Sequence, residues 1–134
     1  DGIRDDLVTG VQTCALPIFA TLISGGRGGI WRTPTGTFHV LDKMAWNDMT
    51  SRADAEEPYA VDAVPWVVHI WPRIALHGTY WHDRFGRTMS HGCVNLSPAD
   101  AHRVFDALGP ALPAGWHAIW PTAEDPGATV RISW

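Results

Sequence analysis

One stretch of this chain carries a clear helical period, and Pro and Gly cut everything around it into short apolar runs. Ser97 is a good N-cap, Pro98 suits the first helical position, and Asp100 falls in the first turn, where unpaired amides favour a carboxylate. Ala101, Val104, Phe105 and Leu108 then recur at the spacing of one helix face, and Gly109 stands at the stop. Residues 19–23, 37–41, 64–70 and 74–76 are short and apolar or β-branched, which is strand length rather than helix length. In the second of these, Phe38 and Val40 share a face. Residues 116–120 and 129–134 read as closing strands. Residues 44–60 are polar and acidic without a period and read as a loop. The expectation is a mainly β domain with one helix.

At 134 residues the chain is long enough for one core and too short for two ordinary domains. Its net charge of −4 is spread without runs, which gives no footprint for nucleic acid or an anionic membrane face. No stretch has the roughly 20 apolar residues that span a bilayer. Eight Trp is a heavy load. Indole N–H groups are unfavourable to bury unpaired, so most of these rings are expected at half-wet packing positions or along a groove.

Residues 8–18, VTGVQTCALPI, look like the conceptual translation of a sequencing-library adapter. Residues 1–18 are therefore set aside from fold reasoning as a non-native segment, and the domain is expected over residues 19–134. The natural start, with any signal or anchor, is then expected to lie outside this chain. Cys14 falls in the set-aside segment, which leaves Cys93 as the cysteine to explain.

Residues 77–97 read HGTYWHDRFGRTMSHGCVNLS. A thiol is a useful nucleophile at neutral pH only when its thiolate is stabilised, since its ordinary pKa is about 8.5. A nearby imidazole can do this and later return the proton to a leaving amine, so Cys93 is expected to titrate below that ordinary value. Gly92 frees the backbone for a tight turn whose amides, with that of Cys93, could face a developing oxyanion. Three readings stay open on this pattern: a nucleophile, a buried structural Cys, and a ligand set of His77, His82, His91 and Cys93. His82 rivals His77 as the base. Tyr80, Trp81 and Arg87 are candidate substrate contacts, His69 is a candidate groove residue, and His39, His102 and His117 read as structural. The glycines of residues 24–29 suit a wide turn or flexible loop, without the Lys-Ser/Thr ending of a phosphate cradle.

The run Ile74-Ala75-Leu76-His77-Gly78-Thr79, followed by Ser90-His91-Gly92-Cys93-Val94-Asn95, resembles the signature of the L,D-transpeptidase (YkuD-type) family. Thr33-Pro34-Thr35-Gly36-Thr37-Phe38 and Ser97-Pro98-Ala99-Asp100-Ala101 are similar to further segments of that family, with Thr88-Met89 departing from an expected Pro-containing pair. The resemblance implies a β-sandwich-like catalytic domain with one helix after the nucleophile and a thiol mechanism with no metal or other cofactor. It implies Cys93 as nucleophile and His77 as proton acceptor and donor, with the Gly78 carbonyl orienting the imidazole. It also implies that Ser90, His91 and Asn95 shape the site and that the Gly92 and Cys93 amides form an oxyanion hole. The implied reaction is acyl transfer between peptidoglycan stem peptides through a thioester, with release of D-Ala, outside the cytoplasmic membrane. A wall-directed cysteine peptidase or carboxypeptidase is one alternative, and a non-catalytic wall-binding module is the other.

Overall fold

The computed structural model describes residues 8–13 and 16–133. In chain order these form β1 (Val8–Thr13), β2 (Leu16–Leu22), β3 (Gly36–His39), β4 (Asp42–Thr50), β5 (Ala60–Trp71), β6 (Ile74–Gly78) and β7 (Val94–Leu96), then the helix α1 (Pro98–Ala107), β8 (Ala118–Ile119) and β9 (Thr129–Ile132). The protein is mainly β with one well-formed helix. Its main sheet has the order β7-β6-β5-β4-β8, antiparallel throughout except for β6 and β7, which run parallel. β3 pairs with β9 and β1 with β2, each as a separate two-stranded ribbon.

The parallel pair does most to position the site. Parallel neighbours need a long crossover, and residues 79–93 supply it without a helix. Its register aligns His77 with Asn95 and Leu76 with Val94, so topology alone brings His77 beside the segment that begins at Cys93.

α1 forms as its sequence dictates. The Ser97 hydroxyl accepts from the Asp100 amide at 3.2 Å, and Ala101, Val104 and Phe105 are buried. They pack against Val68, Ile70, Leu76, Val94 and Leu96 of the sheet, with Val40 in the same core. Each large apolar side chain so buried contributes about 2 kcal/mol. Val64, Val67 and Ala75 form a second cluster with Met44, Met49, Val61 and Cys93. A strict two-residue period would put Val64 and Val68 in one cluster. Ala63 and Trp66, both at positive φ, interrupt β5, and its pairing with β4 slips between Asn47 and Met49, so the two clusters can share one strand.

Residues 44–60 are not a single loop. Residues 44–50 belong to β4, a full strand partner of β5. The segment reads as a loop because Trp46, Asp48 and Thr50 point to solvent, alternating with the partly buried Asn47 and Met49. The strand also carries an unexpected core residue. Lys43 is fully buried, with its ammonium donating to the carbonyls of Leu108 and Pro110 and lying 4.3 Å from the centre of the Phe105 ring. It thereby satisfies orphan carbonyls at the C-terminal end of α1. Five Trp (Trp46, Trp71, Trp81, Trp116 and Trp120) are exposed, and Trp31 and Trp66 are half-buried, as indole amphipathicity requires.

Candidate active site

His77 is the next-to-last residue of β6 in a buried position, and its Nδ1 donates to the Gly78 carbonyl at 3.0 Å. That bond fixes the tautomer of a neutral ring, leaving Nε2 as the acceptor. Trp81 stacks on the imidazole with ring centres 5.8 Å apart. Burial lowers the His77 pKa to about 4, against a weaker opposing effect of the Gly78 carbonyl. The ring is therefore neutral at physiological pH.

Cys93 is half-buried, and its thiol donates to the Arg73 carbonyl at 3.7 Å. Burial pushes the thiol pKa up, more than the backbone at Ala75 and the charge of Arg73 pull it down. The expectation of a thiol held below its ordinary value is thus not met. An apolar cluster on one side of Cys93 and a neutral imidazole offer the thiolate too little. Burial thus favours the uncharged form of both groups.

The loop before Cys93 is held from three sides. The Ser90 hydroxyl donates to the Cys93 carbonyl and accepts from the Gly92 amide at 3.1 Å. Gly92 adopts φ 128, which L side chains rarely adopt, and a Cβ there would lie 2.8 Å from Ile74 Cδ1. Its amide is engaged by Ser90, so its part here is conformational, and the oxyanion donor expected of it is not presented. Thr33 Oγ1 accepts from the Gly26 amide and donates to the Gly92 carbonyl, both at 2.8 Å. The Gly-rich segment is not a free loop. The Gly25 carbonyl accepts from Met89 and Ser90, and Arg27 donates to the Ser90 carbonyl, so the segment backs the loop before Cys93 strand-fashion.

One cleft of about 130 Å³ gathers His77, Trp81, Ser90, His91, Cys93 and Asn95 with Met49, Tyr59, Val61, Arg73 and Met89. His91 stacks on Tyr59 at 4.8 Å, and its Nε2 accepts from the Arg27 guanidinium at 3.0 Å. Arg27 also pairs with Glu57 at 2.6 Å. Among the described residues no group of three or more His, Cys, Asp or Glu could hold a metal ion, so the fold does not assemble a ligand set from His77, His82, His91 and Cys93.

The comparisons fit this geometry. The profile of the L,D-transpeptidase catalytic domain (YkuD) matches residues 8–132. The chain belongs to this family. L,D-transpeptidase 1 of Mycobacterium tuberculosis is 32% identical over 83 residues, which is 57% of this chain and 33% of the relative, so the chain spans about a third of that protein. The fold superposes on an L,D-transpeptidase from Mycobacterium smegmatis with a TM-score of 0.68 and 27% identity, covering 77% of this chain and 50% of that one. L,D-transpeptidase 3 from Mycobacterium tuberculosis, solved with a faropenem-derived adduct, matches at 0.59 and 30%, covering 66% and 40%. The catalytic domain of the Enterococcus faecium enzyme, at 20% identity, shares the fold with a TM-score of 0.66 over 87% of this chain and 90% of that one.

Within this L,D-transpeptidase domain His82 does not line the cleft. Its Nδ1 accepts the Arg84 amide at 3.1 Å, and burial keeps the ring neutral, so its proton is on Nε2, 3.1 Å from the Asn95 amide group. A donor on His82 requires the amide oxygen of Asn95 opposite it. The other end of the Asn95 amide group is buried with no hydrogen-bond partner among the described residues. His82 is thus spent on orienting Asn95.

Tyr80 and Arg87 are both exposed, and neither lines the cleft. The Tyr80 hydroxyl donates to the Asp62 carbonyl at 2.7 Å, because the side chain after buried Thr79 points outward. Of the three candidate substrate contacts only Trp81 faces the cleft. His69 is not a groove residue either, since its Nδ1 pairs with Asp42 at 2.6 Å across the β4–β5 register. Tyr59, Met49 and Arg73 were missed. They come from the far end of β4, from the residue before β5 and from the turn after β5, and local sequence near His77 carries no sign of them.

Proposed function

We propose that this domain is a cysteine acyltransferase acting on peptidoglycan stem peptides outside the cytoplasmic membrane. The observation that carries the reading is a shared cleft holding the Cys93 thiol and an imidazole whose Nδ1 is already occupied by the Gly78 carbonyl. His77 Nε2 takes the thiol proton as Cys93 Sγ attacks the carbonyl before a terminal D-Ala. The same nitrogen then gives that proton to the departing D-Ala amine, leaving a Cys93 thioester. An acceptor amine on a neighbouring stem peptide attacks next, and its proton returns the sulfur to the thiol through His77. The Gly92 amide serves Ser90, which leaves the oxyanion to the Cys93 amide.

The test is release of D-Ala from a stem tetrapeptide, coupled to mass spectrometry of the acyl product with and without an amine acceptor. Cys93→Ala should abolish both. Incubation with a carbapenem should add one mass on the peptide carrying Cys93, because the opened ring keeps its amine tethered. D-Ala release by Cys93→Ala would end the reading. Release with no capture by any added amine would reassign the domain as a carboxypeptidase.

A further inference from the structure

Arg73 stands where an arginine is conformationally out of place. Trp71-Pro72-Arg73-Ile74 is the turn joining β5 to β6, and Arg73 takes φ 65 at its third position. Proline at the second position and a left-handed third position is the pattern that Gly or Asn satisfies with least strain. Strain of this kind persists where the side chain does something a glycine could not. Packing does not account for it, since Arg73 is exposed. Its guanidinium donates to the Thr50 carbonyl at 3.0 Å, also bonds the Tyr59 hydroxyl, and has no carboxylate partner among the described residues. A guanidinium carries five N–H donors, so most remain to be used.

The charge it brings is unopposed in the cleft. The other titratable groups there are Tyr59, His77, His91 and Cys93, and all are neutral at pH 7: burial raises Tyr59 and Cys93 and lowers both histidines. Glu57 at the rim is taken up by Arg27. The lining is otherwise apolar or uncharged, so an anion entering it meets one cation, next to the nucleophile.

We propose that Arg73 is a specificity-determining residue that binds the α-carboxylate of the leaving amino acid, so that the domain prefers donors whose chain ends one residue past the scissile carbonyl. The inference rests on the proposed acyl transfer. In such a donor the carboxylate lies about one residue length, roughly 3.5 Å, beyond the carbonyl that Sγ attacks. Arg73 is placed for it, because its own carbonyl already touches Sγ. An extra residue would move the anion by a similar distance and out of register, and a C-terminal amide would remove the charge. Guanidinium and carboxylate make a bidentate, charge-assisted pair, which sets both affinity and position.

The experiment compares two tetrapeptide donors, one ending in D-Ala free acid and one in D-alaninamide, with an amine acceptor present. The free acid should be used with kcat/KM roughly 10- to 100-fold higher, the size of a charge-assisted hydrogen-bonded pair. Arg73→Gly and Arg73→Gln should bring the acid down toward the level of the amide, mainly through KM, so that the ratio of acid to amide kcat/KM falls to about one. Arg73→Gly should melt no lower than the parent, because φ 65 suits glycine, so a lost preference cannot be ascribed to misfolding. Arg73→Lys should keep part of the preference. Equal use of acid and amide by the parent would overturn the proposal while leaving acyl transfer intact. So would an equal loss on both donors in Arg73→Gly, which would mean that the residue acts on Cys93 or on the turn. Release of neither leaving group from either donor would overturn the acyl-transfer reading and this inference with it.

Discussion

Lys43 and His77 lie on β4 and β6, either side of β5, and both are basic groups whose charged form burial disfavours. Their surroundings differ in completeness. The Lys43 ammonium is enclosed by the Leu108 and Pro110 carbonyls and the Phe105 ring, so its donors serve the fold and face no cleft. His77 has one nitrogen occupied by Gly78 and a ring face covered by Trp81, while the residue still lines the cleft with Cys93. A buried polar group whose partners are all within the fold is structure, and one left a partner short beside a cavity is available for chemistry.

The sharpest way to break this comparison is to delete each side chain and ask what is lost. His77→Ala should lower D-Ala release by roughly 10²- to 10⁴-fold, the range of a positioned general acid and base, with the cooperative unfolding transition retained. Turnover within a few fold of the parent would hand the base role to another group. His82 would be the first candidate, and its assignment as the residue that orients Asn95 would then be wrong.

The pH dependence separates the two groups differently. An unfolded histidine titrates near 6.5 and His77 in the fold near 4, so between these values the unfolded chain binds more protons than the folded one. Stability is therefore full above about pH 6.5 and falls as pH drops toward 4. The shift corresponds to about 3 kcal/mol. His82 and His91 are also lowered by burial, so the parent must be compared with His77→Gln. Urea titrations from pH 7 to 4 should show the parent losing about 3 kcal/mol more than the variant. Parallel curves would show that His77 takes up its proton without resistance, as an exposed ring does.

What could be read in the sequence follows the same division between local and assembled features. The α1 cap and stripe and the strands around Val68 and Leu76 are local patterns, and each appears where the residues indicated, while His77 and Cys93, singled out by the family signature, line one cleft. β4 was hidden because its solvent face is polar and its buried member is a lysine, which no hydrophobic pattern registers. Tyr80 and Arg87 were misjudged because nearness in sequence to His77 does not say which way a side chain points. Arg73 and Tyr59 could not be placed, since the cleft forms only when the β5–β6 turn and the start of β5 fold toward the crossover. The Cys93 titration was misread in direction because the sequence shows the imidazole and not the burial that outweighs it.

Lys43 gives the structural half of the comparison. Lys43→Met keeps the length and apolar stem of the side chain but leaves the Leu108 and Pro110 carbonyls without their donor. The expected loss is about 2 kcal/mol, the desolvation of an unsatisfied buried acceptor. Turnover in the remaining folded protein should be unchanged, since Lys43 does not line the cleft. A variant as stable as the parent would mean that those carbonyls find water or another donor.

The smallest effect concerns residues 1–18, which we propose are not part of the catalytic domain. Two findings press against that boundary: the family profile begins at residue 8, and residues 8–13 pair with β2. β2 is nevertheless tied to the rest of the protein by residues from Phe19 onward. Phe19 packs on the main core under the Arg103 guanidinium, and the Thr21 hydroxyl donates to Asp100 at 2.6 Å on the first turn of α1. Ser24 then exchanges backbone hydrogen bonds with Asn95 in β7. β1 pairs with β2 alone, in a ribbon outside the main sheet, and a lone two-stranded hairpin is marginal in water. Deleting residues 1–18 should therefore lower the melting temperature by no more than a few degrees, roughly 1 kcal/mol or less for a domain of this size. Carbapenem acylation at Cys93 should continue at the parental rate. A larger drop in stability, or slower acylation, would show that β1 supports the Ser24–Asn95 bridge through β2. The domain would then have to be drawn from residue 8.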